Sequence, residues 1–256
     1  SFNCQNSGNI NFSAGMEVTK LTLFPGQKIR TPAILLLFYN GNRMRGQNHL
    51  RRLLRTHFTP SFNNQTVSPP ISASPHAKVA FESTTSTNMI EGITRISGAN
   101  LPVDTWWVDA GWYLCQDSKT GQHNWARWVG NWKPDPNRYP NGVKPVSDVA
   151  HQYGLNFLLW FEPERVMIDS QTYKEHNDWL LYTENFPPDQ QYQANDGFHL
   201  LNLANSGALE WLKLKISSIL NEVGIDIYRH DFNMYPLNYW RHNDTVDQQG
   251  ITEIRY

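Results

Sequence analysis

Two stretches of this chain repeat one plan. In the first, Val143, Val146, Ala150 and Tyr153 fall at i, i+3, i+7 and i+10; Gly154 follows, then the apolar run 155–161, then Glu162. In the second, Leu209, Leu212, Ile216, Ile219 and Val223 line one face; Gly224 follows, then residues 225–229, and Asp231 lies just beyond. An apolar stripe at helical spacing that stops at a glycine predicts a helix with a left-handed residue at its C-terminal end. Asn205 or Ser206 can cap the start of the second helix. Helix, glycine, strand and acid, in that order and twice over, predict an α/β fold on a parallel sheet. A third run, residues 101–108, ends in Asp109. Three neighbouring strands are therefore expected, each with an acid at its C-terminal end.

A doubly wound sheet more often carries a glycine-rich phosphate loop after its first strand, and none is present. A (β/α)8 TIM barrel places functional residues at the C-terminal ends of several strands, which is the pattern of Asp109, Glu162 and Asp231. The barrel is the expected fold. Residues 78–256 supply about four of its eight strands, so the chain is expected to hold the first half of a barrel and to be truncated at both ends.

The remainder reads differently. Residues 20–24 alternate at period two, and residues 33–39 form a strand-sized apolar run between the turn signals Pro25-Gly26 and Asn40-Gly41. Up to about residue 45 the chain looks all-β, a piece of a sheet domain. Leu50, Leu53 and Leu54 predict a connecting helix within residues 45–57. Residues 58–77, with Pro60, Pro69, Pro70 and Pro75 among Ser, Asn and Thr, read as a linker. Residues 79–82 suggest a short strand, and Ile93 and Ile96 a helix over 89–97. Residues 111–142 form a long loop holding Trp112, Trp125, Trp128 and Trp132, and loops of that length are commonly functional.

With 39% hydrophobic and 18% charged residues the chain is globular. A formal net charge of -1 and the absence of a basic block argue against nucleic acid as a partner. No apolar run reaches membrane-spanning length, and no signal-peptide pattern follows Ser1, so no membrane partner is expected and the compartment stays undetermined. Cys4 and Cys115 fit no metal or redox spacing, and the nine histidines show no ligand motif; no metal is expected. Ten Trp and eleven Tyr can serve a large core or a site lined with flat faces, onto which a sugar stacks its C–H face.

Side chains alternate along a strand, so Arg229, Asp231 and Asn233 share a face, as do Trp160 with Glu162 and Trp107 with Asp109. A guanidinium two residues from a carboxylate favours its ionised form, and a nucleophilic carboxylate must be ionised. Glycoside hydrolysis needs two carboxyl groups, about 5–5.5 Å apart when configuration is retained. Glu162 and Glu164 read as substrate hydrogen-bonding groups or partners of Arg165, not as the acid. His230 points away from Asp231 and reads as packing.

These residues resemble the melibiase-type α-galactosidases, glycoside hydrolase clan D, family 36. The matching pieces are Asp109-Ala110-Gly111-Trp112-Tyr113, Gly130-Asn131-Trp132 with Tyr139-Pro140-Asn141-Gly142, Leu159-Trp160-Phe161-Glu162-Pro163-Glu164-Arg165-Val166, and Arg229-His230-Asp231-Phe232-Asn233. The resemblance covers about residues 79–256. Upstream, Pro25-Gly26 and Arg30-Thr31-Pro32 are similar to the end of the β-sandwich that precedes the barrel in that family, which assigns residues 1–57 to a sandwich with its connecting helix.

The resemblance implies a retaining enzyme without metal or cofactor, acting on an oligosaccharide or glycan with a terminal α-galactoside. Asp231 occupies the nucleophile position; Arg229 and Asn233 flank it as sugar contacts, Trp160 lines the galactose pocket, and Asp109 binds ring hydroxyls. The general acid of the family lies on a later strand, beyond Tyr256, so these 256 residues alone are expected to be inactive. Relatives are often homo-oligomers. Ala110, Arg229, His230 and Met234 stand where the family usually has Asp, Lys, Trp and Arg, which marks a divergent subgroup and leaves N-acetylgalactosamine open as the glycone. A non-catalytic sugar-binding barrel is the rival from another class.

Overall fold

A computed structural model describes residues 2–4, 10–63 and 65–256. The chain forms two compact units, Ser1–Thr19 with Leu23–Pro69, and Lys20–Thr22 with Pro70–Tyr256.

The smaller unit pairs strands Phe2–Cys4 and Ile10–Phe12 antiparallel and contains one long helix, Arg43–His57. The Asn42 side chain accepts from the Arg45 N–H at 3.0 Å and caps that helix, as a residue of this type does at an N-terminus. The strand expected over residues 33–39 does not form. Among the described residues it has no ladder, and Ile34, Leu35, Leu36 and Phe38 are exposed. An apolar run becomes a strand only where a neighbouring edge completes its backbone hydrogen bonds. The expected strand over 20–24 shrinks to Lys20–Leu21, which pairs with Gln248–Gln249 in the larger unit.

The larger unit is organised by a four-stranded parallel sheet. Its strands, Ser72–Ala73, Thr105–Val108, Asn156–Phe161 and Ile227–His230, lie side by side in chain order. The three acid-tipped runs are neighbours, as their sequence predicts. The edge strand before them comes from within residues 58–77, so part of the stretch read as a linker belongs to the sheet. Residues 79–82 are not a strand; Phe81–Ser83 is a 3-10 turn.

Three helices pack on the sheet through their apolar faces. Ser86–Gly98 buries Met89 and Ile93 and begins at a capping box between Thr85 and Asn88. Lys144–Gln152 buries Val146 and Ala150. Ser206–Val223 buries Ala208, Leu212, Ile216 and Val223, starts on the Asn205 side chain and ends at Gly224 with φ 73°. That left-handed backbone is costly for any residue with a Cβ, and it turns the chain straight into the fourth strand.

Two features were not anticipated. Between the third and fourth parallel strands, Arg165–Met167, Phe198–Leu201 and Leu180–Leu181 form a separate antiparallel sheet with Phe198–Leu201 at its centre. Loop 111–142 is drawn inward around Arg138, whose guanidinium bonds Asp135 at 3.0 Å and donates to the carbonyls of Thr84, Gly111 and Tyr113. Trp112 and Trp132 of that loop are buried core residues, so much of the aromatic excess is packing.

Candidate active site

The parallel strands carry their acids to one end. Register pairs Arg229 with Trp160 and His230 with Phe161, and just past the last pair Asp231 donates its backbone N–H to the Phe161 carbonyl at 2.8 Å. Asp231 thus sits where the ladder between the third and fourth strands closes. Its Oδ2 accepts from Trp160 Nε1 at 2.8 Å and Asn233 Nδ2 at 2.9 Å, and lies 3.5 Å from an Nη of Arg229. Its Oδ1 accepts from the Phe232 N–H at 3.0 Å. Partial burial works to raise this pKa, but the donors from Trp160, Asn233 and Phe232, together with the Arg229 charge, outweigh it and hold the carboxyl below the ordinary aspartate range. The group is ionised at neutral pH and a quarter exposed, 26% by side chain, so it is both charged and reachable.

Glu162 lies behind it and is fully buried. It bonds Arg165 at 2.6 Å, the Asn233 N–H at 2.6 Å and Asn233 Nδ2 at 3.2 Å. Burial raises its pKa against the pull of Arg165 and Asn233. With Arg165 also buried, this is an internal ion pair that supports the site; the pairing with Arg165 read from the sequence is present. Asn233 bridges the two acids, since its one amide nitrogen serves Oδ2 of Asp231 and Oε2 of Glu162.

Trp160 is 1% exposed, so it presents no open face to a sugar in this structure and acts on the site through its N–H. Beneath it Trp112 donates to the Trp160 carbonyl at 3.0 Å, and Tyr113, Trp125 and Trp132 pack around its ring. Asp109 stands apart from this cluster. Its Oδ1 accepts from the Ala110 N–H at 2.7 Å, and its own backbone N–H donates to His76 Nε2 at 3.2 Å. Gly111, at φ 86°, makes the turn just after it, and a Cβ there would come within 2.8 Å of the Phe81 backbone.

His76 was not legible in the sequence, because it lies on the short turn after the first parallel strand. Since Nε2 accepts from a backbone N–H, the neutral ring carries its proton on Nδ1, beside the Val79 carbonyl at 3.3 Å. Burial lowers its pKa against the Val79 bond and the Asp109 charge, which keeps the ring neutral.

His230 is not a packing residue. It is exposed and bonded on both nitrogens. Nε2 faces Glu164 Oε1 at 2.7 Å and Nδ1 faces the Tyr228 hydroxyl at 3.0 Å. A carboxylate only accepts, so Nε2 carries a proton and donates to Glu164. The Tyr256 hydroxyl donates to the other oxygen of Glu164 at 2.5 Å. This chain of bonds ties the backbone beside Asp231 to the loop after the third strand. Among the described residues, no group of three or more His, Cys, Asp or Glu side chains is placed to hold a metal ion. Nor is any helix long and apolar enough to cross a membrane.

A family model described as Melibiase matches residues 29–256. A probable alpha-galactosidase G of Aspergillus terreus is 29% identical over 218 residues, covering 82% of this chain and 29% of that protein. Alpha-galactosidase 2 of Pediococcus pentosaceus is 28% identical over 150 residues, covering 58% of this chain and 19% of that protein. Among solved structures, the GH36 α-galactosidase AgaB of Geobacillus stearothermophilus aligns with a TM-score of 0.62 at 20% identity, covering 80% of this chain and 26% of that one. A variant of AgaA from the same organism, solved in complex with raffinose, aligns with a TM-score of 0.58 at 21% identity, covering 73% of this chain and 24% of that one. The likeness in structure establishes the fold: the four-stranded parallel sheet is part of a (β/α)8 barrel. The chain spans less than a third of the length of each of these relatives.

Proposed function

The chain belongs to the melibiase family, and from that premise we propose that the full-length protein is a retaining α-galactosidase with Asp231 as its nucleophile. The observation that carries this reading is the convergence of Trp160 Nε1, Asn233 Nδ2 and an Arg229 Nη on Oδ2 of Asp231. Three donors around a partly exposed carboxylate keep it charged without closing it off, as a carboxylate nucleophile requires.

In the proposed reaction a carboxylate oxygen of Asp231 attacks the anomeric carbon of a terminal α-galactoside. The bond to the leaving oxygen breaks, that oxygen takes a proton from a second carboxyl group, and a glycosyl ester remains on Asp231. Water then adds to the anomeric carbon and gives a proton back to the second carboxyl group, the ester bond breaks, and the aspartate leaves as a carboxylate. No residue of this chain is assigned as the proton donor. Asn233 and Arg229 hold the sugar once it displaces part of their present contacts, and Asp109 takes ring hydroxyls from the neighbouring strand end. Raffinose-type oligosaccharides are the substrate class, in line with the raffinose bound to the AgaA variant.

The test is the Asp231→Asn variant of the full-length protein, assayed on an aryl α-galactoside and on raffinose. Loss of turnover of both, with galactose binding retained, is expected. Turnover near the wild-type rate contradicts the assignment. A wild-type protein that binds galactose and hydrolyses no α-galactoside supports the non-catalytic reading instead, and one that prefers an N-acetylgalactosaminide changes the glycone but not the nucleophile.

A further inference from the structure

Arg229 does more than pair with Asp231. Its guanidinium carbon lies 4.8 Å from the ring centroid of Trp107. The register places these residues with care. Trp107 pairs with Leu158 and Arg229 with Trp160, so the tryptophan sits two residues lower on the sheet and two strands away. All of these side chains share one face of their strands. The arginine therefore leans back across the third strand to reach the indole. In doing so it leaves its Nε buried without a hydrogen-bond partner, and Trp107 Nε1 is buried without one as well. An unpaired buried donor is costly, so what keeps the guanidinium in this place must come from elsewhere. The contact with the indole π face contributes to it, beside the ion pair with Asp231.

A lysine at position 229 would need no such platform, because an ammonium is a compact point charge on a flexible stem. A guanidinium is flat, and its fork is useful only when its plane is fixed. With Trp107 beside it, an Nη stays 3.5 Å from Asp231 Oδ2 and the side chain keeps 33% exposure.

We propose that Trp107 is a positioning residue for substrate binding: its indole fixes the plane of Arg229 so that the guanidinium can take a hydroxyl of a neutral glycone beside the nucleophile. This rests on the α-galactosidase reading above and adds to it a residue outside the set that contacts Asp231. Asp109, Glu162, Glu164 and Asp231 outnumber Arg165 and Arg229 at the strand ends, which disfavours an anionic sugar.

A double-mutant cycle in the full-length protein tests it, with kcat and KM measured on an aryl α-galactoside for wild type, Trp107→Leu, Arg229→Lys and the pair. Trp107→Leu is expected to lower kcat/KM about tenfold, chiefly through KM, while Trp107→Phe, which keeps a π face, stays within about threefold of wild type. Arg229→Lys is expected to cost much less in the Trp107→Leu background than alone. Trp107→Met, longer and more adaptable and also without a π face, replaces Trp107→Leu if that variant does not fold. Additive effects, or a Phe variant no better than the Leu or Met variant, overturn the inference. If the wild type turns over substrate and the cycle is additive, this inference alone falls; if the wild type turns over no α-galactoside, the functional reading falls and this one with it.

Discussion

The indole N–H of Trp160 donates to Oδ2 of Asp231 at 2.8 Å, across the ladder that joins the third and fourth parallel strands. The resemblance assigns Trp160 to the lining of the galactose pocket, and in this structure its N–H also holds the carboxylate. Trp160→Phe keeps the ring and removes the bond. Hydrogen bonds to charged groups contribute about 1.5–3 kcal/mol, so kcat/KM on an aryl α-galactoside should fall by about tenfold or more. The pKa of Asp231 should rise, which steady-state kinetics will show as an acidic limb displaced to higher pH.

Asn233 donates to both Asp231 and Glu162. Asn233→Asp would replace that donor with a third carboxyl group between two others. Like charges held close cannot all ionise, so the acidic limb should move upward and activity near pH 5 should drop more than at pH 7. Asn233→Ala removes the donor without adding charge and should displace the limb less. The pH profiles of the two variants, side by side, check this.

The two acids of the site have opposite linkage. Asp231 has a depressed folded pKa, so its contribution to stability is present above the unfolded value of about 3.9 and is lost as pH falls through the folded one. Glu162 has a raised folded pKa, so its contribution is present below the unfolded value of about 4.3 and is lost as pH rises through the folded one. Glu162→Gln should therefore flatten the fall in stability above about pH 4.3, measured by denaturant unfolding at several pH values.

How far the sequence disclosed this arrangement depends on what kind of signal each part carries. Helices 144–152 and 206–223 and the strands that follow them were readable because apolar spacing, Gly154 and Gly224 all act locally. Arg229, Asp231 and Asn233 share a face for the same reason. Ser72–Ala73 was not readable, since two residues in a proline-rich stretch have no periodicity and become a strand only by pairing with Thr105–Val108. The antiparallel sheet at 165–201 has strands of two to four residues, too short to show alternation. His76 meets Asp109 from 33 residues away, and Tyr256 meets Glu164 from 92, and no local pattern reports contacts of that kind. Composition could not say which tryptophans are core, because Trp112 and Trp107 differ only in what the fold places around them.

Arg138 holds the long loop through five partners, Asp135, the carbonyls of Thr84, Gly111 and Tyr113, and Cys115 Sγ, with Asp135 as its counter-ion and both side chains buried. Removing one member of a buried pair leaves the other charge uncompensated. Arg138→Met should destabilise the fold by about 3–5 kcal/mol, read from chemical denaturation, and Arg138→Lys should recover only part of it because an ammonium cannot serve all of these partners.

The central claim is that Asp231 forms a covalent bond to the sugar. Treating the full-length protein with an activated fluorinated galactoside that accumulates the intermediate, followed by peptide mass spectrometry, tests it most directly. The account predicts a single glycosyl adduct on the peptide carrying Asp231, lost in Asp231→Asn. An adduct on another carboxylate, or steady turnover with no adduct at Asp231, would contradict it.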